Sequence, residues 1–288
     1  MKIQTFSIIA GTAACNANCP YCISKMTGIK KMGFEEPEIN WRNFNKACRL
    51  AQVSDVSTVL ITGKGEPVLY PKQITKFLEH IQKFDFPLIE LQTNGLILQE
   101  KAYENYLKEW YELGLNTIAI SIVHYKRDKN KEIFTPKKDY IILENLIKKL
   151  HKQGFSIRLS CVLMKNFIDS TAEIEKLAAF AKKSNVEHLT IRKLGIVSES
   201  ESKKVWEWCK EHAIPDSETE KVKEYFDKKA KTLMTLPHGA VVYELNGQNV
   251  CLTDCIMIHP KTDEIRTLIF FPDGHLRYDW NYSGAILM

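Results

Sequence analysis

The sequence predicts an α/β protein, a partial (β/α)6 TIM-like barrel with a small β-rich C-terminal extension. Three observations carry this prediction. Six short apolar stretches alternate with amphipathic helical stretches over residues 1–197, polar motifs directly follow several of these apolar stretches, and the composition changes after residue 197. Strands and helices that alternate with short connections are typical of a parallel sheet with helices outside it.

Six strands and five helices are expected in residues 1–197. The predicted strands cover residues 4–10, 58–62, 88–92, 116–121, 156–162 and 187–192, and the predicted helices cover residues 41–53, 71–84, 101–113, 140–153 and 170–183. Gly114 and Gly154 follow two of these helices, where glycine commonly ends a helix. Ser170 stands where it can cap the last one.

The remaining third of the chain divides into two further parts. Residues 198–235 are charged and helical and are interpreted as a connector, whereas residues 236–288 are rich in strand-forming residues. Residues 240–245 with 249–253, and 266–271 with 276–280, each read as a hairpin around a glycine turn. About 50 residues make a marginal core, so this cap is expected to pack across the barrel.

Composition and charge limit the function classes. The 288 residues are 44% hydrophobic and 26% charged, with a net charge of +5, which is too weakly basic to indicate nucleic-acid binding. No stretch approaches the roughly 20 apolar residues of a membrane span. Eight cysteines without an export signal favour a reducing compartment, so we expect a cytoplasmic protein whose thiols bind a metal.

Three cysteines after the first strand are the most informative motif. Cys15, Cys19 and Cys22 follow the pattern Cys-x3-Cys-x2-Cys, with Tyr21 before the last. Three thiolates can hold three irons of a cubane cluster and leave the fourth iron open to a substrate or cofactor. The alternative is a zinc site, which needs a fourth ligand from a distant residue such as His124.

This motif and three later ones together resemble the radical S-adenosylmethionine superfamily. Residues 65–67, Gly-Glu-Pro after the second strand, resemble the Gly-Gly-Glu segment of that family, although Lys64 separates Gly65 from Gly63. Asn94 lies in a Thr-Asn-Gly segment after the third strand, and Ser121 ends the fourth strand, where many members have a serine. The resemblance covers roughly residues 1–197.

The resemblance implies a mechanism and its cofactors. The three cysteines would hold one [4Fe–4S] cluster, and S-adenosylmethionine would chelate its open iron. An electron donor such as flavodoxin or ferredoxin would then drive reductive cleavage to a 5′-deoxyadenosyl radical, which abstracts a hydrogen atom from the substrate. The cofactors supply the difficult chemistry, and the protein positions the reacting carbon.

Individual cofactor-binding roles follow from the same resemblance. Gly65 would present its backbone to the methionyl amine, because glycine permits close approach. Glu66 is expected either to pair with that ammonium or to brace its loop. Arg192, near the end of the sixth strand, is expected either to bind the methionyl carboxylate bidentately or to form an ion pair at the barrel rim.

Three further side chains are assigned to the nucleoside part of S-adenosylmethionine. Ser121 and Asn94 would bind the ribose hydroxyls, and each has the alternative of stabilising a local turn. Tyr21 would pack near the adenine, and its alternative is a place in the hydrophobic core.

The other cysteines leave several interpretations open. Cys161 on the fifth strand is either a core residue or a donor of a hydrogen atom to a substrate radical, a role that cysteine has in peptide epimerases of the superfamily. Cys251 and Cys255 are rival donors, and with His259 they are alternatively a structural pair or an auxiliary metal site.

The substrate is predicted only as a class. The short tail and the small number of cysteines favour a small-molecule or nucleotide-like substrate slightly over a peptide. The alternatives are an activase that forms a glycyl radical on a partner protein, a peptide epimerase or maturase, and, more distantly, a noncatalytic zinc-binding protein. No nucleic-acid partner is expected.

Overall fold

A computed structural model describes residues 2–28, 32–253, 264–280 and 286–288 of the chain. Its strands form one sheet, in the order β11-β10-β1-β2-β3-β4-β5-β6-β9-β8-β7. The six central strands are parallel and follow the chain order: β1 (Ile3–Ile9), β2 (Thr58–Thr62), β3 (Leu88–Thr93), β4 (Thr117–Ile122), β5 (Ser156–Leu163) and β6 (His188–Lys193). The predicted fold class, a partial (β/α)6 barrel, is confirmed.

Helices connect these strands and cover one side of the sheet. They are α1 (Ile23–Met26), α2 (Trp41–Val53), α3 (Pro71–Ile81), α4 (Glu104–Glu112), α5 (Arg127–Phe134), α6 (Leu143–Lys152) and α7 (Thr171–Lys183). Ser170 caps α7 as predicted, since its side chain accepts a hydrogen bond from the Glu173 N–H. Helices α1 and α5 are absent from the sequence prediction because they are short and bury few apolar side chains. No helix in the described part of the chain is long and apolar enough to cross a membrane.

The pairing register gives the sheet two chemically different faces. One face carries apolar residues such as Leu91, Ile120 and Leu159, which pack with the helices in the main hydrophobic core. The other face, called the inner face below, is largely polar and includes Gln92 and Ser160. Because successive residues of a strand point to opposite faces, the register decides which side chains line the barrel interior.

The C-terminal part begins with two helices. These are α8 (Lys203–His212) and α9 (Asp216–Lys229), separated at Pro215, which cannot donate a backbone hydrogen bond inside a helix. The strand β7 (Lys231–Thr235) follows, so the last five residues of the predicted helical connector are a strand. All five are exposed at the sheet edge, which leaves no apolar alternation in the sequence.

Both predicted hairpins are present. β8 (Val241–Leu245) and β9 (Gln248–Thr253) pair antiparallel around Asn246 and Gly247, whose φ angles are +52° and +81°, as a two-residue primed turn requires. β10 (Ile265–Phe270) and β11 (Leu276–Arg277) form the second hairpin.

The hairpins do not lie across the barrel, as the sequence analysis expected. Instead, β9 pairs in parallel with β6, and β10 pairs in parallel with β1, so the tail extends the same sheet at both of its edges. An unpaired strand edge is a liability that proteins cover, and the tail covers both edges of the six-stranded unit. The boundaries at residues 197 and 235 remain predictions.

Candidate active site

The cysteine loop lies between β1 and α1, at the carboxyl ends of the parallel strands. The loop after β2 holds it in place: the Gly65 N–H donates to the Thr12 carbonyl at 3.1 Å, and the Glu66 N–H donates to the Ala14 carbonyl at 2.9 Å. The start of the loop is fixed by the Ala10 N–H, which donates to the Thr62 carbonyl at 2.7 Å. Two segments about 50 residues apart in sequence therefore share one backbone framework.

Gly65 is required by this contact. A Cβ atom at this position would lie 2.0 Å from the Ala14 carbonyl oxygen and 2.7 Å from that of Thr12. Both neighbours are backbone atoms, so they cannot move aside as a flexible side chain would. Only glycine lets the two loops approach this closely.

Glu66 joins the loop after β2 to the loop after β3. Its buried carboxylate accepts hydrogen bonds from Thr93 Oγ1 at 2.6 Å, from the Asn94 N–H at 2.9 Å and from the Val68 N–H at 3.2 Å. Burial raises the pKa of Glu66 to about 6, although these three bonds favour the carboxylate. With its oxygens already engaged, Glu66 has the geometry of the bracing alternative rather than that of a partner for the methionyl ammonium.

Asn94 connects the same loop to the cysteines. Its side-chain amide donates to Asn16 Oδ1 at 2.7 Å and lies 3.9 Å from Cys15 Sγ, while its carbonyl oxygen accepts from the Leu96 N–H. The side chain therefore stabilises its own turn and also fixes the cysteine loop. Asn16 could not be recognised beforehand, because an asparagine between two motif cysteines has no pattern of its own.

The three thiols of the motif are close enough to influence one another. Cys15 is exposed and Cys19 and Cys22 are partly exposed, and none of them forms a disulfide. Although Cys15 as a whole is exposed, loss of hydration around its sulfur and the negative charge of Glu66 raise the pKa of Cys15 to about 11. Burial together with the other two thiols raises the pKa of Cys19 further. Metal ligation requires thiolates, so loading of this site must release protons.

Three free thiols in one loop are the donor set that an iron–sulfur cluster takes. In the described residues no three His, Cys, Asp or Glu side chains converge on one point at the distances of a single metal ion. In a cubane, three thiolates bind three different irons and need not converge. The predicted ligand set of Cys15, Cys19 and Cys22 suits such a cluster.

Lys64 is a functional candidate that the sequence analysis noted only as a departure from a motif. Its side chain is 2% exposed, and its ammonium donates to the Thr27 carbonyl at 2.8 Å and to Thr27 Oγ1 at 2.9 Å. The ring of Trp280, from the C-terminal tail, lies 4.8 Å from Nζ. Burial lowers the pKa of Lys64 to about 7, although the charges of Cys22 and two carboxylates act to raise it.

Arg192 lies on the inner face, next to the cysteine loop. Its Nε atom is buried and has no hydrogen-bond partner among the described residues. Burial lowers the pKa of the guanidinium, the Tyr21 side chain favours the charged form, and Arg158 opposes it. A buried guanidinium group of this kind fits a bidentate carboxylate, the group that the sequence analysis assigned to it.

Tyr21 packs beside the connector rather than on the sheet. Its ring is 6.4 Å from that of Trp208 on α8, with an interplanar angle of 32°. Burial raises its pKa, and so do the neighbouring thiols. The ring is thus fixed at the rim, where both of its predicted roles, adenine contact and core packing, remain available.

Four neighbouring strands place hydroxyl and thiol groups in one row of the inner face. Ser121 pairs in register with Ser160, Ser160 with Thr190, and Thr190 with Cys251. Ser121 is therefore positioned on the inner face of the barrel. Cys251, which was one of several rival hydrogen donors in the sequence analysis, belongs to this same row.

Cys161 lies on the opposite face. It pairs in register with Ile122 and Ile191, is fully buried, and belongs to the apolar core. Burial raises its pKa to about 12. The predicted role as a hydrogen donor needed a thiol directed into the barrel, and the strand alternation directs this one away from Ser160 and the interior.

Of the remaining metal-ligand candidates, His124 is described by the structure and does not join the cysteines. His124 accepts a hydrogen bond at Nδ1 from the Lys126 N–H, and its Nε2 lies 3.5 Å from Glu173. Both ring nitrogens are therefore engaged away from the motif thiols. Cys255 and His259 lie outside the described residues.

Fold and site together define a class: a partial β/α barrel with a three-thiol loop at the carboxyl ends of its strands. The family model for the radical SAM superfamily matches residues 9–181, which is more than half of the chain. The chain belongs to the radical SAM superfamily and is an enzyme. Membership in this family implies an iron–sulfur cluster and S-adenosylmethionine.

Curated relatives are similar over part of their length. An uncharacterized protein of Methanocaldococcus jannaschii is 30% identical over 137 residues, which are 47% of this chain and 40% of that protein. A GTP 3′,8-cyclase of Aquifex aeolicus is 26% identical over 190 residues, which are 65% of this chain and 54% of that enzyme. The matches thus span about half the length of these relatives.

Solved structures share the fold. Streptococcus suis SuiB bound to S-adenosylmethionine superposes with a TM-score of 0.65 at 14% identity, covering 99% of this chain and 63% of that one. Methylornithine synthase superposes with a TM-score of 0.55 at 11% identity, covering 91% and 74%. The first match includes the C-terminal strands as well as the barrel.

Proposed function

We propose that this enzyme binds one [4Fe–4S] cluster through Cys15, Cys19 and Cys22, cleaves S-adenosylmethionine reductively, and abstracts a hydrogen atom from a substrate in the barrel. One observation carries the proposal. The loop after β2 is hydrogen-bonded to Thr12 and Ala14, directly before Cys15, so the cysteine loop is held at the carboxyl ends of the parallel strands. Active sites of β/α barrels lie at this end.

The protein's own residues would hold the cofactor from three sides. Gly65 and its loop lie against the cysteine loop and would present backbone groups to the methionyl amine. Arg192 provides a guanidinium with a buried, unsatisfied nitrogen for the methionyl carboxylate. Ser121 and Asn94 provide hydroxyl and amide groups for the ribose, and Tyr21 provides a ring at the rim for the adenine.

The chemistry supplied by the bound cofactors is the one-electron cleavage that yields a 5′-deoxyadenosyl radical. The chain's task is to exclude water and to orient the substrate carbon. The inner face suits a polar substrate, because its middle row consists of Ser121, Ser160, Thr190 and Cys251. We take the substrate to be a small molecule, including nucleotide-like compounds, or a short peptide. The electron donor would be a flavodoxin or ferredoxin.

Anaerobic reconstitution of the full chain tests the proposal. The wild-type protein should bind about four irons and four sulfides, as one cubane requires, and should form 5′-deoxyadenosine from S-adenosylmethionine and a strong reductant. The Cys15→Ala, Cys19→Ala and Cys22→Ala variants should each lose the cluster and the product.

Cys48→Ala is the matched control, because Cys48 is buried in α2 and belongs to the core instead of the loop. It should keep the cluster and the product. A wild-type chain that binds one zinc and no iron, or that loads iron without cleaving S-adenosylmethionine, would contradict the proposal.

A further inference from the structure

Lys64 is a buried lysine to which the proposed function assigns no role. It stands between Gly63 and Gly65, in the loop that supports the cysteines, and its ammonium is held by the carbonyl and hydroxyl of Thr27. Thr27 directly follows α1, which begins after Cys22. Lys64 therefore ties the support loop to the C-terminal end of α1, the helix that follows the cysteine loop.

The ammonium has no carboxylate within ion-pair distance among the described residues. The groups whose negative charge would attract it are, in decreasing order, a Cys22 thiolate, Asp279 and Glu201. Asp279 and Glu201 are exposed, so solvent screens their charges, whereas Lys64 itself is 2% exposed. Burial without an ion pair disfavours the charged form of Lys64, and an anionic group bound nearby would favour that form again.

Trp280 closes this site from the outside. Its ring lies over Nζ at 4.8 Å, and its own ring nitrogen is buried without a hydrogen-bond partner in the described part of the chain. The aromatic face stabilises the cation and keeps water from it, which lowers the local dielectric constant. The electrostatic influence of Lys64 on nearby groups is thereby strengthened.

We propose that Lys64 is a positioning residue for the iron–sulfur cluster, and that its buried ammonium raises the reduction potential of that cluster. The inference rests on the proposed function, because it needs a cluster on Cys22. A [4Fe–4S] centre gains one negative charge on reduction, and net charge and solvent exposure set its potential. In its protonated form, Lys64 carries a buried positive charge that stabilises the more negative, reduced cluster more than the oxidised one.

A redox titration of the reconstituted full chain, monitored by electron paramagnetic resonance without S-adenosylmethionine, tests this inference. Lys64→Met should reduce the equilibrium constant for reduction about tenfold, a shift of about 59 mV to more negative potential. Lys64→Arg, which keeps the charge, should shift the potential by less than half as much. Lys76→Met, at an exposed position on α3, is the matched control and should not change it.

The outcomes separate the two proposals. A wild-type chain that forms no [4Fe–4S] cluster contradicts the proposed function. A Lys64→Met protein with full iron content and the wild-type potential overturns the role of Lys64 alone. Should Lys64→Met fail to fold, Lys64→Gln removes the charge but keeps an N–H donor for Thr27, and an unchanged potential in that variant overturns the role equally.

Discussion

Glu66 is the side chain at which the loops after β2 and β3 are joined. Its carboxylate accepts bonds from one hydroxyl and two backbone N–H groups, and all of these donors are buried. Removal of an acceptor from buried donors costs about 1–3 kcal/mol, so this residue contributes to stability as well as to the shape of the site. Its burial also makes that contribution depend on pH.

The Glu66→Gln substitution tests the charge of this side chain. Burial raises the pKa of Glu66 from 4.5 to about 6, so the folded state binds more protons than the unfolded state between these values. Stability from this group therefore falls as the pH rises from 4.5 to 6. The free energy of unfolding of the wild type, measured against that of Glu66→Gln by urea titration, should fall by on the order of 2 kcal/mol across this window.

Above pH 6 the difference between the two proteins should be constant. Glu35→Gln, at an exposed position, is the control and should show no pH-dependent difference. A difference that rises as the pH approaches 4.5 from below and then stays nearly constant up to pH 6 would mean that the pKa of Glu66 is lowered, and would contradict the role of burial.

At the scale of elements, the cysteine loop depends on its neighbours more than on its own residues. It receives backbone hydrogen bonds from the loop after β2 and a side-chain bond from Asn94 after β3. A loop without regular structure needs such external partners to hold three thiols in one geometry. The geometry of the proposed cluster site is therefore distributed over three β/α units.

Gly65→Ala should disrupt this arrangement. The new methyl group would be 2.0 Å from the Ala14 carbonyl oxygen, so one of the two loops must move. We expect a loss of about 1–3 kcal/mol in the free energy of unfolding of the cluster-free protein. The iron content after reconstitution should fall as well, because the displaced loop carries Cys15.

Gly195→Ala is a suitable control for this substitution. A Cβ atom there would meet only Ile23 Cδ1, at an ordinary distance of 3.7 Å. Stability and iron content should stay near the wild-type values. Equal losses in both variants would indicate a general sensitivity to alanine and not a specific contact of Gly65.

At the scale of the whole molecule, the C-terminal tail is part of the main sheet. β10 pairs with β1 at one edge and β9 pairs with β6 at the other. The ring of Phe270 on β10 lies 5.1 Å from that of Phe44 on α2, inside the main core. We propose that residues 236–288 unfold together with the barrel and not as a separate domain.

Phe270→Ala tests this cooperativity. Phe270 is fully buried, so its truncation should lower the free energy of unfolding by about 3–5 kcal/mol in a single transition. Circular dichroism and tryptophan fluorescence should give coincident unfolding curves. An early separate transition with little effect on the main one would show that the tail is independent.

The control for this substitution is Phe34→Ala. Phe34 is 75% exposed, so its truncation should change the free energy of unfolding by no more than about 0.5 kcal/mol. The two variants remove the same side chain from the same protein, and they differ only in burial.

The sequence by itself determined the fold class and the centre of the chemistry. The alternation of apolar strands with amphipathic helices predicted six parallel strands. Hydrophobic periodicity is a local property of each segment, so it can be recognised without knowing which strands pair. The spacing of Cys15, Cys19 and Cys22 predicted the ligand set, because these thiols are brought together by a few intervening residues. Asn246 and Gly247 predicted a hairpin turn for the same local reason.

The tertiary structure alone decided which other residues join this centre. Lys64 meets Thr27 across 37 residues of sequence, and Trp280 meets Lys64 across more than 200, so no local pattern could indicate either contact. The inward position of Cys251 and the outward position of Cys161 depend on strand register, which reverses the face of a side chain with a shift of one residue. Register is fixed by contacts between strands that are distant in sequence, and these contacts exist only in the folded sheet.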